Sequence, residues 1–129
     1  WDQNISEAFA NVDVLALEYN HDEELQRKSR RPWQLIERVL SDEGHLSNRQ
    51  AAALTRDIVN RSVPHRLHAL IQLHLSRDCN RPHLAQATAA EVFEGLSHTC
   101  AIHTADQHTP LVVSGQRSEG RKAPMTKSQ

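Results

Sequence analysis

The spacing of apolar positions changes several times along the chain, and each change marks an element. Val12-Asp13-Val14-Leu15-Ala16-Leu17 is a nearly continuous apolar run, the pattern of a strand covered on both faces. It breaks into Glu18-Tyr19-Asn20-His21-Asp22, a polar cluster at the strand's carboxyl end, where open α/β sheets bind their ligands. Leu67 to Leu75 alternates instead. Positions 67, 69, 71, 73 and 75 are apolar, while His68, Gln72 and His74 share the other side with Leu70. Between and around these strands the spacing is helical. Residues 3–10 give a short helix with Ile5, Ala8 and Phe9 as its apolar edge. Residues 22–30 run from acidic to basic, which suits the dipole of a solvated helix. Pro32 opens another, with Trp33, Ile36, Val39 and Leu40 as its stripe. Ser47 is a good N-cap, Gln50 completes a capping box, and Ala51, Leu54 and Ile58 carry that helix toward Asn60 before Val63-Pro64 stops it. Pro82 starts a last helix with the stripe Leu84, Thr88, Val92 and Leu96. Cys100–His103 reads as a short strand and Leu111–Val113 as a terminal one.

Strand, helices, strand, helix, strand is an α/β order, and it predicts one sheet of at least three strands with helices on one face. At 129 residues there is room for one domain, placed over 1–113. From Ser114 onward Gly, Ser, Lys and Arg replace any apolar periodicity, so 114–129 is expected to be a disordered polar and basic tail. A composition of 38% hydrophobic and 24% charged residues fits a globular chain, and a net charge of −1 argues against a global basic field. No apolar run approaches the roughly 20 residues of a membrane helix. With no targeting segment in view the expected location is the cytoplasm. Cys79 and Cys100 lack metal-ligand spacing and read as reduced structural thiols. The chain opens on Trp1, and Met125 is its sole methionine, so it reads as beginning mid-stream.

Two histidines sit where α/β folds keep their chemistry. His45 lies in Gly44-His45-Leu46-Ser47-Asn48, at a helix entry, and His74 lies in Leu73-His74-Leu75-Ser76, at a strand tip. Each alone has an ordinary reading, as a loop residue or as a polar residue on a strand's mixed face. His65, His68, His83, His98, His103 and His108 are expected to be surface histidines, exposed or partly buried.

Taken in order, Glu18, then Gly44-His45-Leu46-Ser47-Asn48 with Gln50-Ala51-Ala52, then Leu73-His74-Leu75-Ser76, resemble the C-terminal motifs of the metallo-β-lactamase superfamily. Within it they resemble the phosphodiesterase branch that includes ribonuclease Z, and most closely the bacterial exonuclease-like proteins of the YycJ/WalJ type. Those also carry a Glu-x-Asn-His-Asp segment, here Glu18 to Asp22, a Pro-Trp helix, and an asparagine shortly after His-Leu-Ser, here Asn80. The resemblance implies the C-terminal half of an αββα sandwich, a mixed sheet with flanking helices. It implies a hydrolase of phosphodiester bonds that uses two divalent ions, zinc or manganese. It makes His74 a metal ligand, His45 the histidine placed against the scissile phosphate, and Glu18 the carboxylate that pairs with His45. Asn20, His21, Asp22, Ser47, Asn48 and Ser76 become residues that line the site. The superfamily's His-x-His-x-Asp-His segment is not in these residues, nor is its bridging aspartate. The implied partners are therefore the N-terminal half of the same domain and a phosphodiester substrate such as nucleic acid, and the chain alone is expected to be inactive. The competing reading is a non-catalytic α/β module that keeps relic histidines. The sequence leaves the substrate and the choice of metal open.

Overall fold

A computed structural model describes residues 1, 3–40, 44–106 and 108–113. In chain order the elements are α1 (Gln3–Ala8), β1 (Val14–Glu18), α2 (Glu23–Arg27), α3 (Trp33–Leu40), α4 (Asn48–Arg61), β2 (Ala69–Leu73), α5 (Pro82–Gly95) and β3 (Ala101–Thr104). The strands form one sheet in the order β1-β2-β3, and both pairings are parallel. Val14 stands opposite Ala69 and Glu18 opposite Leu73, so β1 and β2 end together. Parallel neighbours need a long crossover. Here α2, α3 and α4 make the first crossover and α5 the second.

The core lies between the sheet and the pair α4 and α5. Leu15 and Leu70 meet Ala51, Leu54 and Ile58 of α4 and Ala85, Ala89, Val92 and Phe93 of α5. Gln72 lies on this same covered side and is fully buried. Its amide nitrogen donates to the Ala85 carbonyl at 2.8 Å, and its oxygen accepts from the Thr104 hydroxyl at 3.1 Å. The mixed face of β2 is therefore the inward one, because its polar members find partners there. The wholly apolar side of β2 is the more open side. Toward the carboxyl end Ile71 and Leu73 are half-buried and Ala16, opposite Ile71, is exposed, while Ala69, opposite half-buried Val14, is buried.

The helices depart from their expected stripes in informative ways. On α5 the buried line is Ala85, Ala89, Val92 and Phe93, not Leu84, Thr88, Val92 and Leu96. Small alanines let the helix approach the sheet closely, and the larger side chains are displaced to its flanks. On α1 the residue turned inward is Ser6, while Ile5 and Phe9 are exposed. On α3 Ile36 is buried but Trp33 is 66% exposed. Residues 111–113 form no strand, since Pro110 precedes them and Val112 is 89% exposed with no neighbour to pair among the described residues. The three described strands are all parallel, so the mixed sheet implied by the resemblance is not seen among them. The expected tail, 114–129, lies outside the described residues. No helix among the described residues is long and apolar enough to cross a membrane. Both cysteines are free, and burial pushes the Cys100 thiol up to about 12, which makes it inert.

Candidate functional site

Three chain segments converge at the carboxyl edge of the sheet, and a network of asparagines holds them there. Beyond β1, the Asn20 amide N–H donates to the Leu46 carbonyl at 3.0 Å, and the Asn48 N–H donates to the His21 carbonyl at 2.7 Å. These bonds strap the polar segment after β1 to the entry of α4. The Asn20 side chain donates to the His74 carbonyl at 2.9 Å, while the Ser76 N–H donates to the Asn20 carbonyl at 2.7 Å. That fixes the turn leaving β2.

Asn80 ties all three together. Its side-chain nitrogen is within hydrogen-bonding distance of the Tyr19 carbonyl at 2.9 Å, the Asn20 carbonyl at 3.1 Å and the Asn48 side-chain oxygen at 2.9 Å. Asn48 returns a bond to the Asn80 oxygen at 2.8 Å, so two buried carboxamides face each other in a closed pair. Neither could be replaced by an apolar residue without stranding its partner.

On this frame the predicted trio comes together. Glu18, the last residue of β1, places one carboxylate oxygen 2.7 Å from His45 Nδ1 and the other 3.9 Å from His74 Nδ1. The 2.7 Å contact is a hydrogen bond in which His45 Nδ1–H donates, and it leaves Nε2 free to face a reacting group. The 3.9 Å contact is too long for a hydrogen bond but close enough for electrostatic attraction. Both imidazoles are largely exposed, whereas Glu18 is sheltered. His74 has a φ of 54°, the left-handed region in which a residue with a side chain is uncommon. Such strain persists where surrounding bonds impose it, and the bonds from and to Asn20 do so here.

The other residues singled out in the sequence fall into supporting positions. Asp22 caps α2, accepting from the Leu25 N–H at 3.0 Å. Ser47 caps α4 in a reciprocal box with Gln50, and its hydroxyl also donates to Glu23 at 3.0 Å. Ser76 accepts from the Cys79 N–H at 3.1 Å and shapes the loop after β2. His21 is fully buried, with Nδ1 against the Asn20 side-chain oxygen at 3.1 Å and no partner for Nε2 among the described residues. Burial holds its pKa below the ordinary histidine value, although neighbouring Glu23 pulls the other way. His103, expected near the surface, is 1% exposed on β3, and burial lowers its pKa too.

The described residues contain no group of three or more histidine, cysteine or carboxylate side chains that could hold a metal ion. His74 offers a single exposed imidazole, and Glu18 is engaged by His45. The described residues therefore do not by themselves form the two-metal site that the resemblance implies.

The arrangement is a carboxylate-braced imidazole beside a second imidazole at the carboxyl edge of a parallel sheet, and the proteins similar to this chain carry the name exodeoxyribonuclease. No protein-family model matches the chain. It is 33% identical over 106 residues to exodeoxyribonuclease YycJ of Bacillus anthracis. It is 37% identical over 107 residues to exodeoxyribonuclease WalJ of two Streptococcus pneumoniae strains. These stretches cover 79% and 78% of this chain, but only 39% and 38% of the relatives. The chain thus spans about two fifths of the length of the relatives it matches. The likeness read from Glu18, His45 and His74 is a likeness across most of the chain, to proteins of the same YycJ/WalJ type.

Proposed function

We propose that this chain is part of a metal-dependent nuclease of the metallo-β-lactamase superfamily, one that hydrolyses phosphodiester bonds of DNA. The observation that carries the reading is Glu18 standing between His45 and His74 at 2.7 and 3.9 Å. Support comes from the exodeoxyribonuclease names of the relatives and from the half-open apolar side of β1 and β2, which suits a further layer of protein.

His45, held by Glu18 through Nδ1, presents Nε2 to the phosphate. In its protonated form it donates to a non-bridging oxygen or passes a proton to the leaving oxygen. Glu18 stabilises that protonated form and fixes the ring's orientation. His74 would offer one nitrogen to a divalent cation, zinc or manganese, and the remaining ligands would come from outside these 129 residues. Such cations, when bound, supply an activated water. Nothing in the described residues replaces that source of nucleophile, so the 129-residue chain alone should turn over no substrate.

The test is to express the protein in its full natural length and follow the release of nucleotides from labelled single-stranded and duplex DNA with zinc or manganese. We expect turnover that chelation abolishes. His45→Ala should lower kcat by about 10²–10⁴-fold, the usual worth of a positioned acid. Glu18→Gln should lower it as well, because the ring loses the carboxylate that orients it through Nδ1. An undiminished rate in His45→Ala would remove the basis of the proposal and leave an inert α/β module as the better reading.

A further inference from the structure

The trio does not stand at a closed edge. His74 is also a wall of a groove of about 650 Å³ that runs from the β2–α5 loop across the entry of α5 to the segment leaving β3. Its remaining lining includes Arg77, Arg81, Gln86, Asp106 and His108. That volume falls within the roughly 300–1,000 Å³ of ligand sites in general.

The chemistry of the groove is that of an anion site. Arg77 and Arg81 are both exposed, against one carboxylate, Asp106. The Arg81 guanidinium donates through one nitrogen to the Arg77 and Asn80 carbonyls, at 3.1 and 2.6 Å, which pins it to the loop and leaves its other nitrogens for a ligand. Arg77 donates to His108 Nε2 at 2.9 Å, so a neutral ring steadies it without cancelling its charge. The 14-residue helix α5 starts at the same place. Arg81 occupies its cap position with extended backbone and gives no side-chain acceptor to the first turn, so the positive end of the helix dipole opens there uncapped.

The basic surface continues past the groove. Asp78, next to Arg77, is bridged by Arg31 at 3.5 Å. Asp78 and Arg31 also form walls of a second cleft of about 480 Å³, together with Lys28 and Arg30. Lys28 there is shared with Glu24 at 2.7 Å, while Arg30 has no carboxylate partner among the described residues. Five of the chain's 15 basic residues, Arg77, Arg81, Arg31, Arg30 and Lys28, thus line two clefts joined at the Arg31–Asp78 pair, the first of which has His74 in its wall.

We propose that this groove holds the backbone phosphates of the nucleic-acid strand next to the phosphodiester under attack, with Arg77 and Arg81 as its phosphate contacts. The inference rests on the nuclease reading and adds a strand-binding site to it. Spaced basic side chains track a polyphosphate backbone and not a single free phosphate, and each contact released adds to the salt dependence of binding.

The experiment measures binding without turnover, so it separates the groove from the chemistry. The probe is a fluorescein-labelled oligothymidylate, titrated by anisotropy into the full-length protein carrying His45→Ala, at several salt concentrations. Arg77→Gln in that background should weaken binding about 3- to 10-fold and lower the slope of log Kd against log salt by about 0.7, the value for one single-strand phosphate contact. Arg77→Lys should restore most of the slope. Asp106→Asn, which keeps the acceptor that the His108 N–H uses at 2.9 Å, should tighten binding. Unchanged affinity and slope in Arg77→Gln, or weaker binding in Asp106→Asn, would overturn the groove assignment even if the wild type cleaves DNA. Binding that follows the expected pattern in a protein with no nuclease activity would sustain the groove and overturn the nuclease reading instead.

Discussion

At the scale of single residues, Asn80 does more for the site than any charged group. Its carboxamide touches the segment after β1, the entry of α4 and the loop after β2, all from a buried position. Asn80→Ala should cost about 2–4 kcal/mol in urea unfolding, since it strands the Asn48 amide and two carbonyls together. Asn48→Ala should cost less, because Asn80 keeps its two carbonyls. Equal losses would mean the pair does not act as described. Of this network only the presence of Asn80 after His-Leu-Ser was legible beforehand. A carboxamide's partners lie 32 and about 60 positions away, and no periodicity reports contacts at that separation. His21 and His103 make a second residue-scale statement. Both have folded pKa values lowered by burial, so the unfolded chain takes up protons that the native one refuses. Stability should be full above about pH 6.5, the unfolded value, and fall as pH drops below it, at most about 1.4 kcal/mol per pH unit per group. A thermal midpoint that stays level between pH 7 and pH 5 would contradict this.

At the scale of elements, α4 was legible almost to its bounds, because its cap chemistry is local. Ser47, Gln50 and the run from Ala51 to Ile58 are enough to place it, and the reciprocal box forms as expected. Ser47→Ala should destabilise by about 1 kcal/mol, the usual worth of an N-cap. Aspartate caps isolated helices equally well, but here it would set a carboxylate where the Ser47 hydroxyl now donates to Glu23 at 3.0 Å. Ser47→Asp should therefore be worse than Ser47→Asn, which calorimetry would show as the lower midpoint of the two. The face of α5 was not legible. Alanines score weakly as core, yet Ala85 and Ala89 are completely buried because closeness to the sheet counts for more there than bulk. The three strands were found within two residues at each end. Which side of β2 faces inward was not, since Gln72 reads as polar until its partners Ala85 and Thr104 are in view.

At the scale of the molecule, the site is an assembly of distant parts. Glu18, His45 and His74 meet only because β1 and β2 end in register and the Asn20 and Asn48 bonds draw the α4 entry against them. Motif order in the sequence suggested the trio, and sheet topology supplies the reason it converges. What the order could not convey is the groove beside it. Arg77 and Arg81 belong to no motif, and Asp106 and His108 arrive from beyond β3, so their common wall exists only in three dimensions.

The parallel pairing of β1 with β2 also has a consequence in time. Val14 finds its partner in Ala69, a residue 55 positions later (69 − 14), with every residue of α2, α3 and α4 made in between. At synthesis rates of about 5–20 residues per second, the first strand waits roughly 3–11 seconds for β2. Through that interval Val12 to Leu17 is a nascent apolar segment with no β2 to pair with. The acidic residue at its end, Glu18, follows directly on that run, as gatekeeping charges do beside unavoidable strands. The carboxylate that braces His45 in the finished fold thus also sets a charge at the end of its own strand while the rest of the sheet is still being made.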